Sequence, residues 1–217
     1  MSVAADTRVR QDAAQLGHPV TRLLVVDDHA AVRAGIRELL HDQDDFEVAD
    51  AVGSAGEALA ATERGHIDLA VVDYQLGSRS GLWLSRKLKR LPHPPAVLIY
   101  SAYADGVLAA AAVVAQADGV LSKGGLGSEL CAQVRRVARG DRCLAPLPIW
   151  LGDTLRSRFG HEEQAVFGML LAGLGLDEIG ETLNLTPPAL ESRLDAMLRR
   201  LEDPRANSGN GTGSVAR

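Results

Sequence analysis

Five polar residues that could handle a metal ion and a phosphoryl group follow short apolar runs in the first two-thirds of the chain. In chain order they are Asp27, Asp28, Asp73, Ser101 and Lys123. Mg2+ prefers a few carboxylate ligands and keeps several waters. An ammonium can pair with a phosphoryl group as a point charge, and a hydroxyl can donate a hydrogen bond to it. These residue types therefore predict a site for Mg2+ and for phosphoryl transfer to Asp73.

The elements that must bring these five residues together are the strands of a parallel sheet. Apolar runs at residues 23–26, 46–52, 67–72, 96–100 and 118–121 are strand-sized and rich in Val, Ile and Leu. Stretches with helical spacing separate them, which predicts an α/β domain with a five-stranded doubly wound parallel sheet. Ligands bind at the carboxyl ends of strands in such sheets, so we expect the five side chains to converge there.

With these motifs in place, residues 21–143 resemble the receiver domain of a two-component response regulator. The motifs are Val25-Val26-Asp27-Asp28-His29, Val72-Asp73-Tyr74-Gln75-Leu76 with Ser80-Gly81, Ser101-Ala102, and Lys123. The resemblance implies a CheY-like fold and phosphorylation of Asp73 by a cognate histidine kinase. It also implies that Asp28 and Asp73 bind Mg2+ directly, Asp27 through water and Gln75 by its backbone carbonyl, and that Ser101 and Lys123 contact the phosphoryl group.

One position departs from the family pattern. Many receiver domains carry Tyr or Phe three residues before the lysine, as a rotamer switch coupled to the hydroxyl, and here that residue is Val120. Valine cannot swing between buried and exposed positions as an aromatic ring does. Whether this weakens phosphorylation-dependent signalling stays open. Tyr100 and Tyr103 lie nearby and could partly substitute for the aromatic switch, although ordinary packing or surface exposure explains them as well.

The second predicted domain is a smaller all-α domain at residues 159–203. Helical segments are expected at 162–172, 176–184 and 187–201, and Thr186-Pro187 is a favourable helix start. Residues 163–201 resemble a LuxR-type helix-turn-helix, the output domain of the NarL/FixJ class of regulators. We expect a linker at 144–158 and disordered tails at 1–20 and 204–217, the latter rich in Asn, Ser and Gly.

The charge of this helical domain argues against strong DNA binding. Residues 159–203 hold three arginines and nine carboxylates, a net charge of −6. Phosphate neutralisation supplies much of DNA affinity, yet Glu191 stands where related regulators commonly carry a lysine that reaches DNA. The candidate contacts to DNA or to a partner are Arg193, Glu191 and Arg199.

Three functions are therefore weighed. The first is a phosphorylation-dependent transcription regulator that binds promoter DNA, with a homodimer expected on activation. The second is a receiver whose acidic helical domain acts on a protein target. The third, a phosphatase, is disfavoured because Gln75 occupies the position of the second acid, and an amide cannot serve as a general acid–base. We expect no enzyme.

Bulk composition excludes several other classes of protein. The 217 residues are 46% hydrophobic with a net charge of −5, which allows two packed domains and favours no particular partner. Only Cys131 and Cys143 are present, which fits a reducing cytoplasm and no disulfide framework. Residues 1–20 lack the apolar run of a signal peptide, and no stretch approaches the length of a membrane span, so we expect a cytoplasmic protein without membrane contact.

Overall fold

The computed structural model describes residues 20–202, and the predicted tails lie almost entirely outside them. The strands are β1 (Thr21–Val26), β2 (Phe46–Val52), β3 (Leu69–Asp73), β4 (Gln75–Leu76), β5 (Arg79–Ser80), β6 (Ala96–Ser101) and β7 (Gly119–Ser122). The helices are α1 (Ala30–His41), α2 (Ala55–Arg64), α3 (Gly81–Leu88), α4 (Gly106–Val114), α5 (Gly127–Ala138), α6 (Ile149–Arg156), α7 (His161–Leu171), α8 (Leu176–Leu183) and α9 (Pro187–Glu202).

Five of the strands form one parallel sheet in the order β2-β1-β3-β6-β7. This confirms the predicted doubly wound fold with strand bounds close to those expected. The sheet reverses its winding at β1, whose neighbours are β2 and β3. The carboxyl ends of β1, β3, β6 and β7 are consecutive along the sheet edge, which is the arrangement needed to gather the predicted site.

Successive side chains of each strand point to opposite faces of the sheet, so apolar side chains are buried on both faces. Leu23 and Val25 of β1 point to the face covered by α1 and α5, where Leu40 and Val134 are fully buried. Leu24 and Val26 point to the opposite face, against which α2 and α3 pack. Because both faces are covered, the buried parts of β1, β3 and β6 are almost entirely apolar, whereas the edge strand β2 carries Glu47 and Asp50.

Contacts between residues divide the chain into two compact units. The first holds residues 20–104 and 116–144, and the second holds 105–115 and 145–202, within the residues described. Helix α4 therefore belongs to the second unit, where it packs against α6, α7 and α9. The close approach at its start requires Gly106, because a Cβ there would overlap the side chain of Leu151. The predicted domain boundaries at 143 and 159 remain a prediction.

The C-terminal helices pack around a shared apolar core. Val166 and Phe167 of α7, Ile179 of α8, and Leu194 and Met197 of α9 are fully buried. Helix α8 ends at an asparagine in the left-handed conformation, which turns the chain toward α9. Across residues 20–202, none of the helices has the length and apolar character that crossing a bilayer would require.

Candidate functional site

The predicted acidic site forms at the carboxyl edge of the sheet. The ammonium Nζ of Lys123 lies 2.7 Å from Oδ2 of Asp27 and 3.0 Å from Oδ2 of Asp73. Asp27 follows β1, Asp73 ends β3 and Lys123 follows β7, so three separate strands supply one ion-pair cluster. The backbone N–H of Lys123 donates to the carbonyl of Ser101 at 2.7 Å, which attaches the lysine to the end of β6.

Burial strengthens the attraction between Lys123 and the two carboxylates, because little water surrounds them. Asp27 is 1% exposed and Asp73 is 6% exposed. Burial raises the pKa of the Asp73 carboxyl above its ordinary value, against the opposing hydrogen bond and charge of Lys123. Burial also disfavours the Lys123 ammonium, but its hydrogen bonds to Asp27 and Asp73 outweigh that effect and raise its pKa. Lys123 is therefore held charged between two carboxylates.

Asp28 is more exposed and stands beside the loop that follows β3. Its Oδ2 accepts a hydrogen bond from the backbone N–H of Gly77 at 3.1 Å, and its Oδ1 lies 2.7 Å from Nδ1 of His29. The backbone N–H of Gln75 donates to the Asp73 carboxyl, which brings the start of the same loop to the phosphoryl-acceptor position. The role of the Gln75 carbonyl as a metal ligand stays a prediction.

The donor set fits a divalent cation. One ligand atom from each of Asp27, Asp28, His29 and Asp73 lies within 4.8 Å of the others, a span that one ion can bridge. Both oxygens of Asp27 already accept hydrogen bonds, from the backbone N–H of His29 at 2.8 Å and from Lys123. A role for Asp27 through water is compatible with those bonds, and direct ligation by Asp28 and Asp73 stays a prediction.

Ser101 is buried at the end of β6, and its hydroxyl has a local partner. The hydroxyl donates to the backbone carbonyl of Tyr103 at 3.0 Å and accepts from the N–H of Tyr103 at 3.1 Å. Val120 pairs with Ile99 in the sheet and is half-buried. Tyr100 is packed in the core and Tyr103 is 78% exposed, so the two tyrosines occupy very different surroundings.

The candidate contact residues of the C-terminal domain lie on α9, and one of them is held by a neighbouring helix. The guanidinium of Arg193 lies 2.5 Å from the carboxylate of Glu162, and Arg200 pairs with Glu163. Arg199 is exposed, while Glu191 lines an open groove of about 380 Å³ together with Asp177 and Glu181. Two of the three arginines counted in this domain are thus engaged within it.

Part of the acidic charge has a structural role. The carboxylate of Glu163 accepts a hydrogen bond from the backbone N–H of Gly160 at 2.9 Å, and that of Glu178 accepts from Gly175 at 2.8 Å. Each closes the first turn of a helix, where exposed N–H groups favour a negative charge. The carboxylates that surround the groove are a separate set, because Asp177, Glu181 and Glu191 line it directly.

Sequence reasoning quoted His29 within a motif but gave it no role. Its imidazole joins the acidic cluster, and the guanidinium of Arg33 donates to the backbone carbonyl of Asp27 at 2.6 Å. The available signal for His29 was its position next to two predicted metal ligands. No spacing rule pointed to Arg33, since its contact depends on how α1 begins.

Comparisons with known proteins agree with this geometry. Residues 23–135 match the family model for the response regulator receiver domain. The chain is 28% identical to Response regulator UvrY of Escherichia coli strain K12 over 189 residues, covering 82% of this chain and 87% of UvrY. It is 31% identical to Transcriptional regulatory protein UhpA of Salmonella typhimurium strain LT2 over 178 residues, covering 82% of this chain and 89% of UhpA.

Solved structures show the same architecture. A LuxR-family two-component response regulator from Aurantimonas sp. SI85-9A1 superposes with a TM-score of 0.56 at 27% identity, covering 58% of this chain and 91% of that one. RcsB from Salmonella enterica serovar Typhimurium, bound to promoter rprA in the presence of phosphomimetic BeF3-, gives a TM-score of 0.55 at 18% identity. It covers 86% of this chain and 95% of RcsB, and at that identity it supports the fold alone.

Proposed function

This chain belongs to the response-regulator family, whose receiver domain its residues 23–135 match, and we propose that it controls transcription after accepting a phosphoryl group on Asp73. The donor is a cognate histidine kinase. The observation that carries the proposal is the bridge of Lys123 between two buried carboxylates, Asp27 and Asp73, at adjacent strand ends. Such a bridge positions an acceptor carboxylate and a phosphate-binding cation within one pocket.

The roles of the pocket residues follow from their contacts. The Asp73 carboxylate is the nucleophile: an oxygen forms a bond to phosphorus while the bond from phosphorus to the donor breaks. Lys123 lies 3.0 Å from the Asp73 carboxylate, so its ammonium can pair with the oxygens of the new phosphoryl group. Ser101 can turn its hydroxyl toward the same oxygens. Asp28 and Asp73 would hold Mg2+, with Asp27 acting through water and the Gln75 carbonyl as a further ligand. The ion would neutralise charge between carboxylate and phosphoryl group.

Promoter DNA is the proposed target of the C-terminal helices, with a homodimer formed on activation. Two relatives support this target, because UhpA is a transcriptional regulatory protein and UvrY is a response regulator. Arg193 and Arg199 of α9 are the proposed contacts. Arg193 must exchange its ion pair with Glu162 for a phosphate, which lowers the gain from that contact.

A second candidate function deserves a direct test because the charge of the domain favours it. With a net charge of −6 over residues 159–203 and carboxylates around the groove beside α9, the domain is suited to a basic protein surface. In that case the regulator would act through another protein. A gel shift on its own promoter region separates the two functions, because only the first predicts retardation that weakens as salt rises.

The phosphorylation is tested with acetyl phosphate as a small donor. Wild-type protein should acquire one acyl phosphate per chain in the presence of Mg2+, and hydroxylamine should remove it. Asp73→Asn should acquire none, because an amide oxygen is a poor nucleophile. Beryllofluoride should strengthen the gel shift of wild-type protein and leave Asp73→Asn unchanged. Stoichiometric labelling of Asp73→Asn would remove Asp73 from the proposed role.

A further inference from the structure

A basic surface with an aromatic ring lies at α3 of the first unit. The guanidinium of Arg79 lies 4.8 Å from the centre of the Trp83 ring, and the ammonium of Lys87 lies 5.5 Å from it. Arg79 is exposed, whereas Trp83 and Lys87 are half-buried. The three residues are spaced four apart, which places two cations beside one ring. We call Arg79, Trp83 and Lys87 the basic surface.

The positive charge of this surface is not balanced nearby in the chain. Residues 74–104 contain no carboxylate and five cations, which are Arg79, Arg86, Lys87, Lys89 and Arg90. Arg86 is buried, and Lys89 pairs with Asp118 at 2.6 Å. Among residues 20–202, neither Arg79 nor Lys87 forms an ion pair. Trp and Arg are frequent at the centres of protein interfaces, so this surface fits an acidic partner with an apolar patch.

The C-terminal unit carries a groove of opposite character. The groove beside α9 has apolar lining that includes Leu176, Leu185 and Leu190. Asp177 and Glu181 line it from α8, where they are one helical turn apart and exposed. Within the part of the chain that the structure describes, neither of these two carboxylates forms an ion pair. The groove therefore offers carboxylates for cations and an apolar surface for a ring.

We propose that the basic surface of one copy binds this acidic groove on a second copy of the chain. The Trp83 ring lies against the apolar lining, and its two neighbouring cations pair with the carboxylates of α8. Because every copy has both surfaces, two such contacts related by a two-fold axis close a dimer. The inference goes beyond the proposed function, since the contact needs neither phosphorylation of Asp73 nor DNA.

Charge complementarity selects this occupant. The acidic groove belongs to a domain whose residues 159–203 have a net charge of −6, so a nucleic acid would be repelled there. DNA could pair with the basic surface but not with the groove, whereas a second copy satisfies both at once. Each surface supplies the charge that the other lacks, which favours their encounter and fixes their orientation.

The test measures self-association of the full-length, unphosphorylated protein by sedimentation velocity. Wild type should dimerise at low salt, and rising salt should weaken the dimer because dissolved ions screen exposed charges. A receiver variant carries Arg79→Glu with Lys87→Glu, and a groove variant carries Asp177→Lys with Glu181→Lys. Each variant alone should self-associate about 100-fold more weakly or worse, because like charges then meet in both contacts.

A mixture of the two variants supplies the decisive measurement. In the mixed dimer both contacts again join opposite charges, so an equimolar mixture should regain dimerisation that neither variant shows alone. A contact within a single chain could not be restored by mixing. Arg139→Glu with Arg142→Glu is the matched control, because these exposed residues give the same change in net charge as the receiver variant. The control should dimerise as wild type does.

Three results would each overturn the inference: a monomeric wild type at low salt, unchanged dimerisation of either variant, or a mixture that stays monomeric. Urea unfolding verifies that each variant is folded, and one chain with all four substitutions should dimerise by itself. Labelling of Asp73 by acetyl phosphate tests the proposed function separately, because neither pair of substitutions lies in the phosphorylation pocket. Normal labelling without self-association would leave the proposed phosphorylation standing.

Discussion

Substitution of Gly81 by alanine should damage both the stability and the phosphorylation of this protein. Gly81 is the first residue of α3, and its N–H donates to the carbonyl of Tyr74 at 2.7 Å. A Cβ at this position would overlap the carbonyl oxygen of Asp73 and would lie 3.0 Å from both the Asp73 carbonyl carbon and Cγ1 of Val72. Two of these atoms are backbone, so no side-chain rotation can relieve the overlap.

The magnitude follows from the contacts. Carbon atoms prefer separations of about 3.5–4.0 Å, and overpacking a rigid interior costs about 1–3 kcal/mol, sometimes more. Alanine recovers up to about 1 kcal/mol relative to glycine in a helix interior, and less at its first residue. We therefore expect Gly81→Ala to lower the free energy of unfolding by about 2 kcal/mol. The end of β3, which carries Asp73, must move to make room.

Two measurements on Gly81→Ala test this reasoning. Urea unfolding gives the loss of stability, and the rate of labelling by acetyl phosphate reports the displacement of Asp73. A misplacement of about 1 Å can reduce a positioned reaction by about 100-fold, so labelling should slow strongly even where the protein is folded.

Gly35→Ala is the matched control. Gly35 is exposed within α1, and a Cβ there would have no neighbour within 4 Å. This substitution should raise the free energy of unfolding by up to about 1 kcal/mol and leave labelling unchanged. If Gly81→Ala proved as stable as Gly35→Ala and were labelled at the wild-type rate, the close approach of α3 to β3 could not be what positions Asp73.

Two further predictions concern charges away from the pocket. Arg135 binds both carboxylate oxygens of Asp45, at 2.7 and 2.8 Å, and its hydrogen bond is the main cause that lowers the Asp45 pKa. Because the folded state favours the ionised form, the pair stabilises above pH of about 4 and loses its effect as pH falls through the lowered pKa. Urea unfolding of Asp45→Asn should show a loss of about 0.5–1 kcal/mol at pH 7 that vanishes below the lowered pKa, and a loss independent of pH would contradict it. Glu191→Lys should raise promoter affinity and steepen its salt dependence by about one unit of slope in gel shifts, whereas the receiver substitution Glu63→Lys, with the same change in net charge, should do neither.

The sheet and the core of the site were predictable from local signals. Buried strands of Val, Ile and Leu give continuous apolar runs, and the polar residue that ends each run marks the carboxyl edge. Because parallel strands align those edges, Asp27, Asp73 and Lys123 could be assigned to one pocket before any distance was known. In the structure the ammonium of Lys123 contacts both carboxylates, at 2.7 Å from Asp27 and 3.0 Å from Asp73.

Other features depend on packing that no local pattern encodes. The pair of β4 and β5 contains two residues in each strand, too few for periodicity to reveal. The ion pair of Arg193 with Glu162 joins positions 31 residues apart, and both read as solvent-exposed helix residues in sequence. Helix α6 begins at Ile149, directly after Pro148, within the predicted linker at 144–158. Proline just before the first turn favours that start.

The pocket carries an uncompensated charge, which is the physical basis of its proposed response to phosphorylation. The carboxylates of Asp27, Asp28 and Asp73 lie together and Lys123 contacts two of them, so the ionised cluster has a net charge of −2, the charge that one divalent ion neutralises. Phosphorylation turns the single negative charge of Asp73 into about two. In the proposed role of Ser101, that added charge would attract its hydroxyl, which has only one proton to donate. A hydroxyl that donates to phosphate must therefore release the carbonyl of Tyr103, and this release does not require an aromatic residue at Val120.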